Sequence, residues 1–392
     1  METKIAITAC ESLSALGKEK NIIWKNYQNQ QTYISQQKIG NQIVPAASFS
    51  EEILAEIKTL QQSDSKYKNL DASVLYAIEV SRRAIAKAGW KKGDDFGINF
   101  GSSRGATSLF EKYHTEFTQT NRVSTLASPT TTLGNISSWV ANDLQSNGPE
   151  ISHSITCSTS LHSLLNGVAW IKAGMVDKFL VGGSEAPLTP FTIAQMQALK
   201  IYSRIKDEYP CRAFDFSKTE NSMVIGEGAC AITLETVPNG RQEGESKKAL
   251  AYIEGLGYAT EILEHNISIS AEADCFQKSM QMALQNTNLE DIDAIVMHAP
   301  GTIKGDKSEY KAIQKVFGSR IPFLTTNKWK IGHTFGASGI LSLELALLML
   351  QNQEIVEIPF FKQEKPQKLN KILVNAVGFG GNAVSILISK DI

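Results

Sequence analysis

Short apolar runs at positions 4–8, 97–101, 178–183 and 294–297, each bounded by glycine or polar residues, read as strands buried on both faces. Between them lie stretches whose apolar residues recur with helical spacing. One opens at Asp71, a residue suited to cap a helix N-terminus, and sets Val74, Ala77, Ile78, Ala84, Ile85 and Ala88 along one stripe. A second runs from about Ser158 through Leu161, Leu164, Leu165, Val168 and Ile171 to Gly174, where a C-terminal glycine cap belongs. The alternation predicts an α/β protein with helices covering a largely buried sheet. Two polar stretches, 26–50 and 238–248, read as linkers, and the second divides the chain into halves, 1–240 and 241–392. A faint echo supports two related halves: Gly226-Glu-Gly-Ala and Gly378-Phe-Gly-Gly are each a glycine turn feeding a closing strand.

Composition narrows the class. The 392 residues are 42% hydrophobic and 20% charged, as in a globular protein large enough for two to three domain-sized units. Lys plus Arg is 39 and Asp plus Glu is 40, which leaves no overall cationic footprint for nucleic acid. Cys10, Cys157, Cys211, Cys230 and Cys275 form no CxxC pair, so neither a disulfide scaffold nor a metal site is expected. The first apolar run is too short for a signal peptide. The stretch 341–350, interrupted by Glu344, is too short to span a bilayer. A cytoplasmic protein without a membrane span is the expectation.

Cys157 follows a strand-like stretch and precedes the helix that begins near Ser158. Free N–H groups at that junction favour a thiolate, as a nucleophile requires; the alternative is a small buried core thiol. His298 ends a strand-like run, and His333 precedes the apolar helix 340–350, positions where α/β proteins place ligands. Taken alone, each reads first as a hydrogen-bonded structural histidine. His162 falls inside a helix and suits packing, while His114, His153 and His265 lack a comparable setting. The glycine turns 101–105 and 378–381 match neither G-x-G-x-x-G nor a P-loop, so nucleotide binding is weakly supported.

In their order, these motifs resemble the elongating β-ketoacyl-acyl-carrier-protein synthases of the thiolase superfamily over nearly the whole chain. Ser154-Ile-Thr-Cys-Ser-Thr-Ser-Leu-His162 is similar to the nucleophile segment, and Phe179-Leu-Val-Gly-Gly-Ser-Glu-Ala186 to the strand and turn after it. Cys211-Arg-Ala-Phe-Asp215 and Gly226-Glu-Gly-Ala229 resemble two further elements of the first half. His298-Ala-Pro-Gly-Thr302 with Asp306 and Glu309 resembles the first histidine motif, and Lys328 with His333 the lysine and second histidine. Asn375-Ala-Val-Gly-Phe-Gly-Gly381 is similar to the closing loop.

The resemblance implies a thiolase fold, two duplicated halves in a five-layered α-β-α-β-α sandwich, paired as a homodimer or with a related ketosynthase-like subunit. It implies that Cys157 takes an acyl group from a carrier-protein thioester, and that decarboxylation of malonyl-carrier protein supplies the carbanion that extends it by two carbons. His298 and His333 would stabilise the enolate, Lys328 would supply fixed positive charge, and the backbone N–H groups of Cys157 and Phe379 would bind the tetrahedral oxyanion. Phe379 would also act as a gate. Met223 would face the acyl chain. Thr302 would lie beside the phosphopantetheine, which the acyl carrier protein brings, so no cofactor of the enzyme's own is implied. Lys66, Lys68, Arg204 and Lys206 are candidates for docking the acidic carrier.

The sequence departs from the family pattern at several points. Ala299 and Pro300 replace a glycine and a threonine, removing one hydroxyl contact to the pantetheine. Residues 216–225 are longer than usual and carry Met223 in place of a phenylalanine. Ser342 stands where a glutamate is usual, with Glu344 two residues on, which leaves the partner of Lys328 open. Three alternatives follow: a non-catalytic chain-length subunit, a CoA-dependent thiolase or initiating synthase, and a polyketide or polyene synthase. The retained Cys157 opposes the first, and Gly-His333-Thr opposes the second.

Overall fold

The computed structural model describes residues 4–133, 135–237, 249–262 and 270–391. The linker expected at 238–248 and His265 lie outside the described residues. The first half runs β1 (Lys4–Leu13), α1 (Lys20–Gln28), β2 (Ser35–Ile39), β3 (Gln42–Ala47), α2 (Glu51–Ser63), α3 (Ala72–Ala88) and β4 (Gly97–Gly101). It continues α4 (Thr107–Thr120), α5 (Ala127–Thr131), α6 (Asn135–Leu144), β5 (Glu150–His153), α7 (Thr159–Lys172), β6 (Lys178–Glu185), α8 (Pro190–Ala198), β7 (Ile225–Gly226) and β8 (Gly228–Val237). The second half is β9 (Ala251–Thr260), α9 (Asp274–Ala283), β10 (Ala294–Val296), α10 (Ile303–Phe317), β11 (Phe323–Thr325), α11 (Lys328–Ile331), α12 (Ser338–Asn352), β12 (Lys371–Gly378) and β13 (Asn382–Ser389).

The apolar runs become strands for the reason the pattern gives. β4, β6, β10 and β12 are buried along nearly their whole length, as strands covered on both faces must be. α3 begins where expected: the Asp71 carboxylate accepts the Ser73 N–H at 2.9 Å, and Gly89 ends the helix in the left-handed region at φ 67°.

Strand order reveals a duplication. In space the first half reads β1-β8-β6-β4-β5 and the second β9-β13-β12-β10-β11. In both, the first strand pairs antiparallel with the last, the last antiparallel with the fourth, and the fourth parallel with the second, which pairs parallel with the third. The halves join where Ile5–Ile7 pairs with Ala251–Ile253. Three apolar cores separate five layers. The middle core packs α7 and α12 side chains such as Leu161, Leu164, Ile340 and Leu343 against both sets of strands. One outer core lies under α2, α3 and α6 and another under α9 and α10. This is the thiolase-type α-β-α-β-α sandwich.

Two expectations are corrected. Residues 26–50 are no linker: β2 and β3 form a hairpin whose inner strand pairs with β7. The apolar stretch at 341–350 belongs to a longer helical segment, Phe335–Asn352, which is long and apolar enough to cross a membrane. Its apolar character answers to the middle core, since 89% of it is buried inside the protein.

Candidate active site

The duplication brings equivalent junctions together. Cys157 sits between β5 and α7, and His333 between β11 and α12, the same place in the other half. The N-terminal ends of α7 and α12 touch: the Ile340 N–H donates to Ser160 Oγ at 3.0 Å. A Cβ on Gly183 would meet Ser160 on one side and Ala337 on the other, so the strand passing beneath the two helix ends has no room for a side chain.

Cys157 is buried, one residue ahead of the cap of α7, and follows Thr156 at φ 48°, a strained left-handed turn. Burial pushes its thiol up to about 12, with Glu185 raising it further and Lys328 and Arg104 opposing. The expected thiolate-favouring effect of the helix N-terminus does not prevail. Such an end is worth at most about 2 kcal/mol, or about one and a half pKa units, less than the rise from the usual 9. At rest the Cys157 side chain is a neutral thiol.

His298 and His333 meet edge to face, with ring centres 5.1 Å apart. The Glu309 carboxylate fixes the His298 backbone by accepting the N–H groups of His298 at 2.9 Å and Ala299 at 2.8 Å. Those bonds hold Ala299 at φ 29°, so the turn survives without the family's glycine. His333 is clamped by the segment Val224-Ile-Gly226: its N–H donates to Val224 O at 2.6 Å, and its carbonyl accepts from the Gly226 N–H. A Cβ on Gly226 would lie 2.1 Å from Ile331 O, which explains that glycine. His333 Nδ1 accepts the Phe335 N–H at 2.9 Å, so the neutral ring carries its proton on Nε2. Burial holds both imidazoles neutral, with Lys328 pressing in the same direction; His333 falls to about 3 and His298 well below its ordinary value. His298 Nδ1 is buried without a hydrogen-bond partner.

Lys328 donates to Asn327 Oδ1 at 3.0 Å and to Ser342 Oγ at 3.1 Å. Ser342 therefore fills the place of the absent glutamate. Glu344 turns away to accept from Ser12 Oγ at 2.5 Å. A hydroxyl cannot hold the ammonium charged as a carboxylate does, and burial lowers Lys328 to about 8 against an upward pull from Glu309.

The closing loop presses on Thr156 and Cys157. A Cβ on Gly378 would fall 1.8 Å from Thr156 Oγ1 and 3.1 Å from Cys157 N, and Thr156 Oγ1 donates to Phe379 O at 3.4 Å. Phe379 itself is 37% exposed. Met223 joins Cys157 in an apolar cluster with Val44, Ile193, Met196, Tyr202 and Phe335. Thr302 caps α10 through the Gly305 N–H, and the Gly301 carbonyl beside it accepts the N–H of Ser222, the neighbour of Met223.

Arg204 and Lys206 are exposed near this end of the site. Arg204 lines a cleft of about 460 Å³ with Lys200, Tyr202 and Asn221, and Lys206 lines another of about 440 Å³ with Arg212 and Lys218. Lys66 and Lys68 are exposed on the turn between α2 and α3, where Lys66 pairs with Asp64 at 3.9 Å. The sequence reading gave no role to Glu185, Ser342, Phe335 or Arg104. A buried acid flanked by glycines, as in Gly-Gly-Ser-Glu185, was the available signal for the first.

Comparison with known proteins agrees with this geometry. Residues 2–239 match the family model for the beta-ketoacyl synthase N-terminal domain, and residues 250–361 that for its C-terminal domain. The chain is 25% identical over 416 aligned positions to 3-oxoacyl-[acyl-carrier-protein] synthase 2 of Staphylococcus aureus (strain COL), covering 99% of this chain and 98% of that one. Among solved structures, the ishigamide ketosynthase/chain length factor superposes with a TM-score of 0.86 at 18% identity, covering 99% of each chain. A ketosynthase bound to the hexaketide, in complex with its type II polyketide acyl-carrier protein, gives 0.85 at 18% identity over 99% of this chain and 100% of that one.

Proposed function

Because the chain belongs to the beta-ketoacyl synthase family, we propose that it is an acyltransferase that extends an acyl chain by decarboxylative condensation, with Cys157 as nucleophile. The observation that carries this reading is the convergence of two neutral imidazoles, 5.1 Å apart, with Lys328 acting electrostatically on both rings and on the buried Cys157 thiol. The Cys157 sulfur attacks the thioester carbonyl of an acyl carrier protein; the new S–C bond replaces the carrier's, and the thiol proton leaves with the carrier's thiol. Malonyl-carrier protein then loses CO₂, and the electron pair moves onto the thioester oxygen as an enolate. N–H groups of His298 and His333 stabilise that oxygen, the role suited to imidazoles held neutral by burial. The enolate carbon attacks the acyl carbonyl, the Cys157 thiolate departs, and the backbone N–H groups of Cys157 and Phe379 hold the intermediate's oxyanion. Phe379, exposed beside Cys157, is the gate of this proposal.

The phosphopantetheine belongs to the carrier, and no cofactor is assigned to the enzyme. Its arm enters past Arg204 toward Thr302, a path supported by Asn221, which lines the same cleft and accepts the Ile303 N–H at 3.0 Å. Arg204 and Lys206 receive the acidic carrier there, with Lys66 and Lys68, on the turn between α2 and α3, as further docking residues. The halves divide at 1–240 and 241–392, in keeping with the repeated strand order. The chain pairs with its own copy or a related ketosynthase-like subunit through β5, an edge strand among the described residues that carries exposed Ile151, with Phe110, Phe117 and Leu133 also exposed. A cytoplasmic location is part of the same proposal. The test is the decarboxylation half-reaction alone. His298→Ala and His333→Ala should each slow CO₂ release from malonyl-carrier protein by about a hundredfold or more; release at the parental rate removes the histidines from the mechanism.

A further inference from the structure

The turn after β4, Gly101-Ser-Ser-Arg-Gly, holds no phosphate cradle, because the buried Glu185 carboxylate already accepts the backbone N–H groups of Ser103 and Arg104. What the turn delivers is the side chain of Arg104. Its Nη2 donates to Thr192 Oγ1 at 3.3 Å and to Gln195 Oε1, both on α8. α8 also contributes Ile193 and Met196 to the apolar cluster around Cys157. The guanidinium stacks on Phe335, 5.4 Å from the ring centre, and Phe335 belongs to that cluster too. Arg104 also acts on the Cys157 thiol electrostatically, opposing its burial. Arg104 Nε is buried without a partner, and among the described residues the guanidinium makes no ion pair with a carboxylate.

The apolar cluster around Cys157 thus has one cationic wall whose hydrogen-bonding capacity is incompletely used. A saturated chain would leave that N–H unpaired in a dry environment, which costs free energy; an oxygen acceptor on the chain would satisfy it. We propose that Arg104 is a specificity residue that selects acyl chains carrying an acceptor oxygen, keto or carboxylate, beyond the thioester. The inference rests on Cys157 being the acylated nucleophile.

The experiment offers the enzyme saturated, terminal-keto and terminal-carboxylate acyl thioesters of one chain length and follows the mass gained at Cys157. The wild type should take at least one oxygenated chain about tenfold or more faster than the saturated chain, since a site built for hydrogen bonding rejects the analogue lacking its partner. R104M should bring the rates to near parity, by slowing the oxygenated chain and speeding the saturated one. R104K, which keeps a cation, should retain a carboxylate preference. A keto advantage without a carboxylate advantage identifies a neutral acceptor, and the reverse an anionic one. A wild type that takes the saturated chain as fast as both others, or a folded R104M that keeps the parental ratio, overturns this inference alone. The wild-type ratio decides the matter even if R104M does not fold. Failure of Cys157 to take any chain overturns both this inference and the reading beneath it.

Discussion

Lys328 shows how one substituted partner changes the chemistry of a site. With Ser342 Oγ and Asn327 Oδ1 as its acceptors, the ammonium has two neutral partners and is buried, so its proton is held to only about 8. The sign follows: the charge is present below that pH and is lost as pH rises through it. Decarboxylation that depends on the charge should therefore decline across about pH 8, whereas Lys328→Met should be slow and show no such step. A wild-type profile flat from pH 7 to 9 (on the order of one pKa span either side) would mean that the charge is not used. Short motifs in one order singled out Cys157, His298, Lys328 and His333 as candidates, and the fold brings the two imidazoles to 5.1 Å from each other. The protonation states were not legible in the sequence. They depend on burial, which for Cys157 outweighs the helix end that local reasoning would have trusted.

Among elements, the β12–β13 loop approaches Cys157 without room for a side chain between them. Gly378 lies so close to Thr156 and Cys157 that a methyl group cannot be added without moving one of them. Gly378→Ala should slow acylation of Cys157 by about a hundredfold, the scale of an ångström-sized misplacement. Acylation at the parental rate would show that the loop does not set the nucleophile's position. Elements with a strong local signal were readable in advance: α3 has its cap, its stripe and its terminal glycine within one stretch. The β2–β3 hairpin was not, because β2 is largely exposed and its polar Ser-Gln-Gln-Lys sequence carries no alternation. Main-chain pairing of β2 with β3, and of β3 with β7, makes them strands.

At the scale of the molecule, the site exists because the chain repeats one topology twice and packs the copies through a shared helical layer. The glycine-turn echo hinted at this, but the order of strands rests on pairings hundreds of residues apart, such as Ser12 with Cys230, which no local pattern encodes. The same scale governs assembly. The edge strand β5, with Ile151, Phe110 and Phe117 exposed, predicts that the chain runs as a dimer of 42.9 kDa protomers, or becomes one on coexpression with a related subunit, and that Ile151→Lys returns it to monomer. A monomer in both settings, measured by light scattering, would leave that edge without a role. The most direct test of the account as a whole is the intact mass of the protein after exposure to a panel of acyl-carrier proteins. The account predicts one acyl adduct, mapped to Cys157 and missing in Cys157→Ala. An adduct that persists in that variant, or none from any chain offered, would contradict it.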